Sequence, residues 1–249
     1  MSGLVTVGRG TGERPEHQEG PTERALQALW RDHARDMYQF RNLRTIIRLR
    51  RRFDLRPVSL SGLQVRIPTG KLPDCDNCVD LCCTGPNAVV SLRLRDIAVL
   101  IDLERIDLIG FERPTPPTDQ RRLSWARREA DASVFHQAFP VLQRDGTGTC
   151  MALTEDRLCG LWPSWPLSCA RYPYALDRKN KVVFYASGCT TTRVAEMAEA
   201  PVAVRRLVRA TVDAYNERLR DVVLLAFARE RLRSLGLLAF INEGALQGL

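Results

Sequence analysis

From Thr22 onward, Leu26, Leu29, Trp30, His33, Met37, Phe40, Leu43 and Ile47 recur at spacings of three and four, the repeat that lines one face of an α-helix. One long amphipathic helix is therefore expected over residues 22–56, after a disordered tail over residues 1–21. Leu63, Val65 and Ile67 alternate, as a half-buried strand would, and Pro68-Thr69-Gly70 ends it. Gly85-Pro86-Asn87 reads as a turn, and Ala88-Val89-Val90 as another short strand. Residues 94–104 are expected to be helical, with Leu94, Ile97, Ala98, Ile101 and Leu108 inward. Pro114, Pro116 and Pro117 mark an exposed loop, and a helix over residues 121–138 leads to Pro140. Between residues 150 and 189, Pro163, Pro166 and Pro173 exclude long helices, so irregular structure is expected, with a strand at Val182-Val183-Phe184-Tyr185. Residues 193–235 read as helix interrupted at Pro201, and residues 236–249, with three glycines, are expected to fray.

This pattern predicts an α+β fold: a small irregular core with short strands, flanked by N- and C-terminal helices, and the crowding of all eight cysteines into that core makes it a cysteine-rich candidate metal-binding one. Residues 57–192 would form the core and residues 193–249 helices packed on it. The 249 residues suit one large domain or two small ones, and 45% hydrophobic with 27% charged residues is ordinary globular usage.

Charge adds one feature. The formal net charge is +8, and the basic residues are nearly all arginine, because lysine occurs only at 71, 179 and 181. Arg41, Arg44, Arg48, Arg50, Arg51 and Arg52 crowd the end of the first helix. Cations there complement the backbone dipole, and a solvated face is the simplest account. The cluster is also a possible dock for an acidic protein partner or an anionic surface, nucleic acid or membrane.

No stretch reaches the ~18 apolar residues of a membrane-spanning helix, and the first 21 residues lack the apolar centre of a secretion signal. A cytoplasmic protein with no transmembrane segment is expected. Thiols stay reduced there, so eight cysteines point to metal binding or catalysis rather than to disulfides. Gly8, Gly10 and Gly12 lead into Glu13-Arg14-Pro15, which opens no apolar helix, so they make no dinucleotide loop.

The cysteines fall into two groups with none left over: Cys75, Cys78, Cys82 and Cys83, spaced CxxCxxxCC, then Cys150, Cys159, Cys169 and Cys189. Cys75 and Cys78 sit among Asp74, Asp76 and Asn77, a setting unsuited to small core hydrophobes. Thiolate ligands arrive as tight local sets plus distant partners brought in by folding, so all eight are candidate metal ligands. A closed zinc site usually shows two short Cys pairs, whereas this chain has one CxxC and four dispersed cysteines. An iron–sulfur cluster is favoured on that ground, with zinc as the alternative, since soft thiolates suit both. His17, His33 and His136 lie outside the cluster and are expected to be surface or packing residues. The spacing reverses the CxxxCxxC order of radical S-adenosylmethionine enzymes. GxSxG, P-loop and HExxH motifs are absent.

At these residues the sequence resembles the YkgJ-type cysteine-cluster family, a zinc- or iron-chelating CxxCxxxCC domain. The likeness begins with Cys75-Asp76-Asn77-Cys78-Val79-Asp80-Leu81-Cys82-Cys83 and passes through Val90-Ser91-Leu92 and Asp96-Ile97. It resumes at Gly148-Thr149-Cys150-Met151-Ala152-Leu153, then runs from Cys159 through Leu161-Trp162, Pro166, Cys169 and Tyr172-Pro173 to Cys189. Trp162 and Trp165 stand where the family often has tyrosine and arginine, and Ala170 precedes Arg171 where arginine usually follows the cysteine directly. The resemblance implies a metal-binding protein of undefined activity. Flagellin lysine N-methylases resemble the family in the same motif, so a metal-dependent enzyme, either a redox protein or such a methyltransferase, is one alternative. An interaction module with a structural metal is the other.

Overall fold

The computed structural model describes residues 17–53, 55–66, 71–73, 83–84, 89–111, 138–185, 192–194 and 200–246. The fold mixes helices with small sheets. Its helices are α1 (Pro21–His33), α2 (Leu43–Arg52), α3 (Leu94–Asp102), α4 (Leu167–Arg171), α5 (Ala200–Phe227) and α6 (Arg229–Ser234). Its strands are β1 (Gln64–Arg66), β2 (Lys71–Pro73), β3 (Ile109–Gly110), β4 (Val141–Leu142), β5 (Tyr174–Asp177), β6 (Val182–Tyr185) and β7 (Thr192–Val194).

The helices carry the main core. Leu26 and Leu29 of α1, Leu49 of α2, Leu94, Ile97 and Leu100 of α3, and Leu224 and Leu225 of α5 bury together. The run Val222-Val223-Leu224-Leu225 is buried throughout. A helix apolar on every side is one enclosed by its neighbours. The sheet is secondary: β6 lies between β1, which it pairs in parallel, and β5, which it pairs antiparallel. A second small cluster joins it to α5 through Tyr174, Val183 and Val208. Two more antiparallel pairs, β2 with β7 and β3 with β4, complete the strands among the described residues.

Several expectations need correction. The first helix is two helices. Between α1 and α2 the buried Asp36 accepts a hydrogen bond from the His33 ring at 2.5 Å, and the Asn42 side-chain amide donates to the Asp36 carbonyl at 3.0 Å. Short polar side chains that bond local groups compete with the helical ladder, and 3₁₀ turns replace it here. The N-terminal segment is docked from His17 onward: His17 Nδ1 bonds Ser164 Oγ at 2.8 Å, and its Nε2 bonds the buried Glu23. Residues 1–16 lie outside the described residues.

Strand β1 forms at the sheet edge beside β6 as expected, but all three of its residues are exposed rather than half-buried. Val89 and Val90 are not a strand, although the Val90 carbonyl accepts the Leu142 N–H at 2.9 Å. Pro201 does not interrupt a helix. It sits in the first turn of α5, where its missing N–H goes unneeded. Nor do residues 236–246 fray. Gly236 adopts φ +75°, a left-handed cap after α6, and turns the chain so that Leu237, Leu238, Ile241 and Leu246 bury. The loop at Pro114, Pro116 and Pro117 and the helix over residues 121–138 fall outside the described residues, apart from Ala138. No described helix is long and apolar enough to cross a membrane.

Candidate metal centre

Four candidate ligands, Cys83, Cys150, Cys159 and Cys169, are described. All four join or pack against the main core, with Cys150 buried in it. Cys75, Cys78, Cys82 and Cys189 lie outside the described residues.

Turns rather than long elements position the four. Asp145 Oδ1 accepts the Thr147 N–H at 2.8 Å, the Thr147 hydroxyl at 2.6 Å and the Thr149 N–H at 2.9 Å. These bonds, the Thr147 hydroxyl foremost, hold the Asp145 carboxyl below its ordinary range. The turn they build bridges Arg144 to Cys150. The Cys150 N–H donates to the Cys83 carbonyl at 2.6 Å, joining the end of the first cysteine group to the start of the second. The Cys150 carbonyl then accepts the Leu153 N–H at 2.9 Å, and Leu153 bridges to Cys159. A tight turn follows, with the Trp162 N–H donating to the Cys159 carbonyl at 3.1 Å. The Trp162 and Trp165 rings stand edge to face at 4.6 Å.

Cys169 lies on α4, and α3 fastens that short helix. Asp96 Oδ1 accepts the Leu167 N–H at 2.9 Å, and its Oδ2 accepts the Arg93 N–H at 2.9 Å. One carboxylate thus caps α3 and anchors the turn two residues before Cys169. The Ser168 hydroxyl donates to the Ser91 carbonyl at 3.0 Å beside it. On its other side α4 packs against α5.

Behind these turns runs a buried charged layer. Burial pushes the Asp96 carboxyl up to about 6, against the two backbone bonds and the charges of Arg95 and Arg93. Burial raises Asp221 well above its ordinary value, against the charge of Arg93; neither of its oxygens accepts a hydrogen bond among the described residues, although the Leu94 amide lies close by. Burial lowers Arg93, offset in part by Asp221. Arg95 loses to burial too, but its 2.6 Å bond to Glu23 and the charges of Glu23, Asp96 and Glu217 together outweigh that and hold it above its usual value. Sequence reasoning did not single out Asp221 or Arg93, and took Asp96 only as part of a helix. The available signals were an acid three residues into an apolar helix start, and an acid directly before the run beginning at Val222.

Two strands frame the remaining cysteines in sequence. β2 ends at Pro73, two residues before Cys75, and β7 begins at Thr192, three residues after Cys189. Pro73 and Thr192 are direct partners in the β2–β7 ladder. Among the described residues, no three His, Cys, Asp or Glu side chains converge as a ligand set. His17 and His33 pair with Glu23 and Asp36, and His136 is outside the described residues. No protein-family model, curated protein or solved structure matches this chain.

Proposed function

We propose that the chain is a metal-binding protein of the YkgJ type. It would hold an iron–sulfur cluster, or failing that zinc, through Cys75, Cys78, Cys82, Cys83, Cys150, Cys159, Cys169 and Cys189. The observation that carries this reading is that both ends of the first cysteine group are tied to the second. One tie is the bond from the Cys150 N–H to the Cys83 carbonyl, and the other is the pairing of Pro73 with Thr192. Two residues of chain span at most about 7 Å and three at most about 11 Å, so Cys75 and Cys189 start from adjacent points with short tethers. Two cysteine groups far apart in sequence would share neither tie by default if each served only as local packing.

The dispersed second group favours iron–sulfur, since its cysteines are spaced as ligands from separate segments would be, rather than as a second CxxC pair. Bound metal would add folding free energy, because no site exists in the unfolded chain. We place the protein in a reducing cytoplasm on the same grounds. The test is metal and acid-labile sulfide analysis of protein purified without oxygen, with visible absorption spectra. Iron with sulfide supports the cluster, and stoichiometric zinc supports the alternative. Folded protein with neither metal and eight reactive thiols overturns the proposal.

A further inference from the structure

Residues 37–53 contain six arginines and no carboxylate. Four large apolar side chains in this stretch face solvent: Phe40 is 87% exposed, Tyr38 83%, and Leu43 and Ile47 43% each. On α2, Leu43 and Ile47 are one turn apart and share an outward face. Arg44, Arg48 and Arg51, at intervals of four and three, form the adjoining exposed stripe, while Ile46 and Leu49 occupy the inner side. The helix thus has two apolar faces, and only the inner one is covered by the core. Next to it opens a groove of about 920 Å³ between the α1–α2 segment and α5. Met37, Phe53 and Leu219 line its floor, and Arg50, Arg51 and Arg56 stand along it.

We propose that this face docks on an anionic phospholipid bilayer, with α2 lying in the interface plane. Interfacial helices pair an apolar strip that enters the headgroup boundary with cations that meet anionic lipid, and α2 with residues 38–40 supplies both. A nucleic acid would engage the arginines and could stack on Tyr38 and Phe40, but would set Leu43 and Ile47 against phosphate. An acidic protein would need an apolar ridge matched to the strip, whereas a bilayer presents charge and apolar depth everywhere on its surface.

The experiment is co-sedimentation of the full-length protein with vesicles of phosphatidylcholine alone or with one quarter phosphatidylglycerol. Binding at least about tenfold tighter to the anionic vesicles, and lost in about 0.5 M salt, is expected. Each surface arginine contributes about fivefold, so combining Arg44→Gln, Arg48→Gln and Arg51→Gln should weaken binding roughly 100-fold. Pairing Phe40→Ser with Ile47→Ser should also weaken it, and should leave the remainder more sensitive to salt. All five positions are exposed, so urea midpoints should not move, and Phe40→Trp gives a second readout through a blue-shifted emission on anionic vesicles. Equal affinity for both vesicle types, no emission shift, or preference for a short RNA or an acidic helical peptide over the anionic vesicles overturns the proposal.

Discussion

Replacing Asp96 with asparagine separates two opposing effects at the junction of α3 and α4. The carboxylate accepts the backbone N–H groups of Leu167 and Arg93, both at 2.9 Å. Asparagine offers one acceptor oxygen, so one of these amides meets an NH2 group instead. A buried donor left unmet costs about 1–3 kcal/mol. Against this stands the cost of a buried charge. Burial raises the folded-state pKa of Asp96 from 3.8 to about 6. The folded protein therefore holds a proton that the unfolded chain has released. That stabilisation is complete below pH 3.8 and is lost as pH rises through about 6, an effect on the order of 3 kcal/mol. Asparagine does not titrate. In urea unfolding, Asp96→Asn should be destabilised by about 1–3 kcal/mol near pH 4.5. The gap to wild type should then close or reverse by pH 7. A gap constant with pH, or one that widens toward neutrality, refutes the reasoning.

Other expectations follow from single contacts. Asp102 caps α1 from α3, accepting the Thr22 and Glu23 N–H groups at 2.8 and 2.9 Å, so Asp102→Ala should cost about 1–2 kcal/mol in chemical denaturation. Gly20→Ala should cost at least as much, because the added Cβ overlaps the Asp102 carboxyl group; an unchanged urea midpoint would contradict this packing. Leu225→Ala, at a fully buried core site, should cost about 2–5 kcal/mol in the same assay. Cys150→Ser keeps the shape of a buried thiol but removes a proposed soft ligand, so under the proposed function oxygen-free preparations should hold less metal than wild type; metal retained in full would make Cys150 a packing residue only.

What was legible in the sequence is what periodicity encodes. Leu94, Ile97 and Ala98 announced α3, Val182 to Tyr185 announced β6, and the prolines of residues 163–173 announced turns. The division between α1 and α2 was not legible, because the apolar spacing continues through Met37 and Phe40 while Asp36 and Asn42 redirect the backbone. Phe40 kept the helical spacing yet ended up exposed. Strand β2, at three residues, is too short to alternate, and its partner lies far along the chain, so the ladder beside Cys75 and Cys189 left no local trace. For the cysteines, spacing supplied the candidate set; the tie from Cys83 to Cys150 runs through backbone atoms, which carry no residue signature. Asp96 was hidden for a related reason, since its task is to accept two amides and any short carboxylate would read the same.

The β2–β7 ladder also bears on when the protein can be finished during synthesis. Pairing Pro73 with Thr192 closes a loop of roughly 120 residues, an entropic cost on the order of 4 kcal/mol that three residues of ladder do not repay alone. Contacts of such long range form late. On the ribosome, β2 emerges well before β7, so the ladder can close only after the chain beyond Val194 has left the exit tunnel. A nascent chain arrested before that point would lack this closure, so the order of translation sets a window in which the two ends of the loop are not yet held together.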